Sequence, residues 1–129
     1  MTGSTDETQN IINTFISETS ENNFIEIKYY YQKNQGKMCA INNLIQYAEG
    51  NLIIECDSDD YLKNNAIKII SSRYETIKGK ENIYAMVFLK YNENECNIGN
   101  NFKCENYESN MFNLYFKDGI TGDKALVYN

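Results

Sequence analysis

Asp57-Ser58-Asp59-Asp60 crowds three carboxylates into four positions, directly after the apolar run Asn51-Leu52-Ile53-Ile54-Glu55-Cys56. Two unit charges about 6 Å apart repel by roughly 3 kcal/mol at an effective dielectric near 20. Solvent, a helix terminus or a bound cation must offset that cost. Mg²⁺ and Mn²⁺ favour hard oxygen ligands. Mg²⁺ is usually held by one or two carboxylates, with substrate phosphates and water completing its shell. If the extended backbone persists past the apolar run, Asp57 and Asp59 project to one side, as a cation would need. Capping is equally open: Asp59 or Asp60 would cap a helix beginning near Leu62, where negative charge suits the helix dipole. The two roles are compatible, one aspartate capping while the others bind metal. A calcium EF-hand loop is excluded, because Leu62 stands where glycine is required and Lys68 where glutamate is required.

A second group of chemically able residues is the turn Asn34-Gln35-Gly36-Lys37. Gly36 permits positive φ or close backbone approach. Free N–H groups at the start of a following helix, with the Lys37 ammonium, could hold phosphate oxygens. An ordinary strand-to-helix turn explains the same residues, and the spacing is not that of a phosphate-binding Walker loop. The chain has no histidine, so acid–base work falls to carboxylates, Lys, Tyr or Cys. Four cysteines, at 39, 56, 96 and 104, form no Cys-x-x-Cys pair, which argues against zinc. Cys39 and Cys56 fall in apolar segments and are expected to be reduced, buried thiols. Cys96 and Cys104 lie in a polar segment whose spacing does not demand a disulfide.

The elements that must position these groups follow from periodicity. Residues 4–20 read as a helix, with Ser4 and Glu7 at capping-box spacing and Ile12, Phe15, Ile16 and Thr19 on one face. Residues 24–31, FIEIKYYY, read as a strand. Residues 37–49 form a helix on Met38, Ile41, Leu44, Ile45 and Ala48, stopped by Gly50. Residues 51–56 form a strand whose unbroken apolar run suggests that both faces are covered. Residues 62–78 form a helix with Leu62, Ala66, Ile69, Ile70 and Ile77 inward, and residues 83–90 a further strand. Alternating helices and strands imply an α/β domain with a mostly parallel sheet. Ligands of such sheets bind beyond the carboxyl ends of the strands, where Asp57 stands. After Tyr91 no period is clear. Residues 92–118 are expected to be irregular, a long loop or two short strands joined by the turn near Gly99, with a short helix in SNMFNLYF, and KALVY a last short strand.

With 129 residues, the chain suffices for one domain with a real core. Its 42% hydrophobic content, with 11 Tyr and 6 Phe, marks it as globular. A net charge of −6 argues against nucleic-acid binding. No apolar stretch approaches the ~20 residues of a membrane span, and the N-terminus lacks the regions of a signal peptide. The Asn, Ile, Lys and Tyr bias suggests an AT-rich bacterial genome.

Taken in order, these segments resemble the family-2 glycosyltransferases of the GT-A fold. Members show Asp-Asp-Gly-Ser-x-Asp, Asn-x-Gly-Lys-x-x-Ala-x-Asn, Ala-x-Gly and Asp-x-Asp-Asp. The chain has Gly3-Ser4-Thr5-Asp6, Asn34-x-Gly36-Lys37-x-x-Ala40-x-Asn42, Ala48-x-Gly50 and Asp57-x-Asp59-Asp60. Thr121-Gly122-Asp123-Lys124-Ala125 also resembles a segment of bacterial members. The resemblance implies inverting sugar transfer from a nucleotide-diphosphate donor to a saccharide or lipid-linked acceptor. The setting it implies is cell-surface polysaccharide or glycolipid synthesis in the cytoplasm or at the cytosolic membrane face. It implies Mg²⁺ or Mn²⁺ on Asp57 and Asp59, with Asp59 the more direct ligand. It implies donor contacts from Asp6, Asn34, Gly36, Lys37, Asp57 and Asp60. No catalytic residue is assigned; Asp123 is the late acidic candidate for the base.

On that resemblance, Met1-Thr2 stands where family members carry an Asp-Asp dyad after an opening strand, and Asn129 precedes the region that usually supplies the base and the acceptor site. The chain is therefore expected to be a shortened donor-binding domain of doubtful activity alone, with exposed strand edges that favour self-association. Two other functions fit the motif: an Asp-dependent phosphohydrolase, and a non-catalytic fragment that binds nucleotide or a partner chain.

Overall fold

The structure, a computed structural model, describes residues 6–19 and 25–129. The chain divides into two compact units, one up to Glu49 and one from Gly50 onward.

The first unit contains α1 (Thr8–Thr19) and α2 (Lys37–Ile45). The expected cap Ser4 lies outside the described residues. Asp6 takes that role, its Oδ1 accepting from the Thr8 amide at 3.1 Å and the Thr8 hydroxyl at 2.5 Å. No residue of α1 is buried, and Phe15, expected on its inner face, is exposed. The strand expected over 24–31 is not formed in its described part. Residues 26–31 carry no regular structure, and Gln32 makes only a single bridge. β-propensity needs a partner strand to be realised. Aromatic stacking organises the segment instead, with the Tyr30 and Tyr47 rings 4.4 Å apart at an interplanar angle of 17°. Helix α2 stops at Ile45, four residues before the expected end, and Met38, Leu44 and Ile45 are exposed. Its last turn tightens, Tyr47 N donating to Leu44 O and Ala48 N to Ile45 O.

The second unit holds β1 (Ile53–Ile54), α3 (Ala66–Ile77), β2 (Ala85–Leu89), a π-helical turn (Asn113–Lys117) and β3 (Lys124–Tyr128). The sheet order is β1-β3-β2, and β3 is antiparallel to both neighbours. The expected mostly parallel sheet is thus corrected. β1 and β2 do run in the same direction, as a strand-helix-strand crossover through α3 requires. The last strand enters between them and runs the other way, so every described ladder is antiparallel.

Helix α3 begins at Ala66, not Leu62, and presents Ala66, Ile70, Tyr74 and Ile77 inward at three- and four-residue steps. Leu62 and Ile69, expected inside, are 43% exposed each. Ile70, Leu114, Ile120 and Val127 form the buried apolar core of the described residues. Cys56, expected to be buried, is exposed, as are Cys96 and Cys104. Cys39 is half-buried, and all four thiols are free.

One close packing arrangement fixes the start of β3. Gly99 and Gly122 have φ of +83° and +76°, and their backbones touch. A Cβ on Gly99 would sit 1.9 Å from Thr121 O, and one on Gly122 2.5 Å from Ile98 O. Only glycine at both positions allows this approach. The Asn100 side chain completes the join, accepting from Thr121 N at 2.7 Å and donating to Gly119 O at 2.8 Å. The buried Lys124 ammonium donates to Ile98 O at 2.8 Å and Thr121 O at 2.7 Å.

Candidate functional site

The carboxylate stretch follows β1 as a tight turn. Asp60 N donates to Asp57 O at 3.0 Å, with Ser58 and Asp59 at the corner. The extended geometry that would have set Asp57 and Asp59 on one side therefore does not persist. Asp57 is half-buried, and Asp59 and Asp60 are exposed. Capping by Asp59 or Asp60 is also corrected: the N-cap of α3 is Asn65, and it makes no side-chain cap. Asp60 lies five positions before that residue.

Asp60 pairs with a cation instead. Its Oδ2 accepts from Lys90 Nζ at 2.5 Å, and Asp123 Oδ2 accepts from the same ammonium at 2.6 Å. The register explains the meeting. Leu89 faces Lys124 across the β2–β3 ladder, so one step further along Lys90 faces Asp123. Lys90 leaves the carboxyl end of β2, Asp60 lies beyond the carboxyl end of β1, and Asp123 precedes β3. All three stand at one edge of the sheet, the edge expected to bind ligand. The Asp123 carboxylate, then that of Asp60, pushes the Lys90 ammonium well above its ordinary pKa of 10.5. Lys63 braces the neighbouring loops, reaching Glu95 at 3.2 Å and lying 4.8 Å from the Tyr91 ring centroid.

In the first unit, Asn34, Gly36 and Lys37 form one turn. Asn34 Oδ1 accepts from Gly36 N at 3.1 Å. Gly36 has φ 89° and ψ 161°, and Lys37 opens α2. The Asp6 carboxylate, engaged by Thr8, is held below its usual pKa of 3.8, chiefly by the Thr8 hydroxyl.

The sequence motifs did not single out Lys90. The available signal was its place at the end of IYAMVFLK, where it follows a strand as Asp57 follows another.

Among the described residues, no group of three or more His, Cys, Asp or Glu side chains is arranged to hold a metal ion. An all-protein cage is therefore not formed there. Two carboxylates of the turn, Asp57 and Asp59, still match the donor set of a hard divalent cation that completes its shell with phosphate oxygens and water.

The family model of glycosyl transferase family 2 matches residues 2–122. The chain belongs to that family, which implies an α/β fold of the GT-A type and a glycosyltransferase-like function. No curated protein and no solved structure matches it. No helix among the described residues is long and apolar enough to cross a membrane.

Proposed function

We propose that this chain is a sugar transferase that takes its sugar from a nucleotide-diphosphate donor and delivers it, with inversion, to a hydroxyl of a saccharide or lipid-linked acceptor. The observation that carries this proposal is the Asp57–Asp60 turn beyond the carboxyl end of β1 in a family-2 chain. Asp57 and Asp59 would hold Mg²⁺ or Mn²⁺. Bound there, the cation would neutralise charge developing on the departing diphosphate. Asn34, Gly36 and Lys37 carry donor contacts on the family's pattern, the N–H groups at the start of α2 suiting phosphate oxygens. Asp6 belongs to the same pattern and also serves the start of α1. The acceptor hydroxyl must lose its proton to a base. Asp123 is the candidate for that base. Its carboxylate holds Lys90, so taking a proton requires exchange of that bond. Cell-envelope polysaccharide or glycolipid synthesis at the cytosolic side is the proposed setting.

Thermal denaturation with UDP-sugars tests the assignment. A ligand at about 100 times its Kd stabilises by roughly 2.7 kcal/mol. The expected result is a rise in Tm with UDP-sugar and Mn²⁺ together, lost in Asp59→Asn. A metal-dependent rise of equal size in Asp59→Asn would show that Asp59 is not the ligand.

A further inference from the structure

The first unit carries a groove of its own, away in sequence from the carboxylate turn. Its volume is about 330 Å³, the size of a small-ligand site. Three tyrosines, Tyr30, Tyr31 and Tyr47, and three amide side chains, Gln32, Asn43 and Gln46, line it, and no lining residue is charged. The groove therefore offers a phosphate no cation to pair with. The Tyr30 and Tyr47 rings stack on each other at 4.4 Å, which leaves no slot between them for a planar base. Tyr31 and Tyr47 remain 55% and 48% exposed, so aromatic surface is open to a ligand. The polar lining is incomplete. Gln32 Oε1 accepts from Asn43 Nδ2 at 2.9 Å, yet Gln32 Nε2 is buried with no hydrogen-bond partner among the described residues. A buried donor left unpaired is costly, so the Gln32 amide gains by turning toward an acceptor that enters the groove.

We propose that this groove binds a neutral saccharide ring. A pyranose presents C–H groups on its faces, which suit the electron-rich face of a tyrosine. Its rim carries hydroxyls that both donate and accept, which suit amide side chains. Tyr47 supplies the stacking surface. Gln32 donates its unpaired N–H to a ring hydroxyl, with Asn43 holding its oxygen. A lining without charge favours an unphosphorylated sugar over a nucleotide or a sugar phosphate. That this saccharide is the acceptor of the transfer rests on the sugar-transferase reading above; its binding in the groove does not.

Saturation-transfer NMR on the 129-residue chain tests this, with the methyl glycosides of glucose, galactose and N-acetylglucosamine as probes. At about 10 mM, a single ring of millimolar affinity occupies most of the sites. At least one glycoside is expected to receive saturation. Tyr47→Ala should weaken its binding by roughly fivefold or more, and Tyr47→Phe, which keeps the ring, should bind like the wild type. Gln32→Leu should weaken binding by about threefold to tenfold. Its Tm should not fall, because the unpaired donor is gone and the exposed Asn43 turns to water, so weaker binding there is not a folding defect. Asp59→Asn should bind the glycoside as the wild type does, so this site and the donor site fail separately. Loss of the metal-dependent UDP-sugar shift with glycoside binding intact would overturn the donor site alone. No saturation in any of the three glycosides, equal binding in Tyr47→Ala, or displacement of the glycoside by UDP would each overturn the saccharide site.

Discussion

Lys90 keeps its proton under the pull of two carboxylates, and that sets a pH signature. The Asp123 carboxylate is the larger cause of its raised pKa and Asp60 the second. A lysine whose folded pKa is raised contributes stability that is fully present below its unfolded value and is lost as pH climbs through the folded value. The urea-unfolding difference between wild type and Lys90→Met should therefore stay constant from about pH 8 to the ordinary lysine value of 10.5 and shrink above it. A difference that stays flat as pH climbs past 10.5 would show that the carboxylates do not hold this ammonium in solution. At this scale the sequence was partly legible. The carboxylate turn and the glycine at position 36 were visible as types and spacings. The partner of Asp60 was not, because Lys90 comes from a strand 30 residues away and meets Asp60 only through the shared edge of the sheet.

The elements show where periodicity suffices and where it does not. Three- and four-residue apolar steps located α1, α2 and α3, though each is shorter than its pattern, and KALVY was recognisable as a strand. Strand direction was hidden. Alternation of helices and strands predicts parallel pairing, but the reversal into β3 happens in residues 91–123, where no period marks it. FIEIKYYY had the composition of a strand, but its described residues 26–31 form no regular structure. The join between residues 98–101 and 119–124 is the element-scale feature most open to measurement. Gly122→Ala must hold an L-residue at φ +76° and push its Cβ into Ile98 O and Gly99. Its cost should exceed about 2 kcal/mol in urea unfolding. Gly119→Ala is the control: its φ is +67°, but a Cβ there meets nothing within 4 Å. It should cost only about 1–2 kcal/mol, the conformational penalty alone. Equal losses at the two positions would mean that the close approach of the backbones contributes nothing.

For the whole molecule, the distribution of burial matters most. All the buried residues among those described belong to the second unit, and the first has none. Large apolar side chains stay accessible in both, among them Phe15, Met38 and Tyr31 in the first and Ile67, Phe112 and Phe116 in the second. Phe112 and Phe116 stack on each other at 5.0 Å while 62% and 77% exposed. Apolar surface of this kind favours association. Light scattering over a dilution series should show species larger than 15.0 kDa at micromolar concentration. A strictly monomeric mass across the series would count against this. The position of β3 has a further consequence, for synthesis. The strand that holds β1 and β2 together comes later in the chain than either of them. As the polypeptide leaves the ribosome, Ile53–Ile54 and Ala85–Leu89 must wait with open edges until residues 124–128 arrive to fill the gap. The sheet closes from its middle and late, so the nascent chain passes through an interval in which aggregation competes directly with completion of the fold.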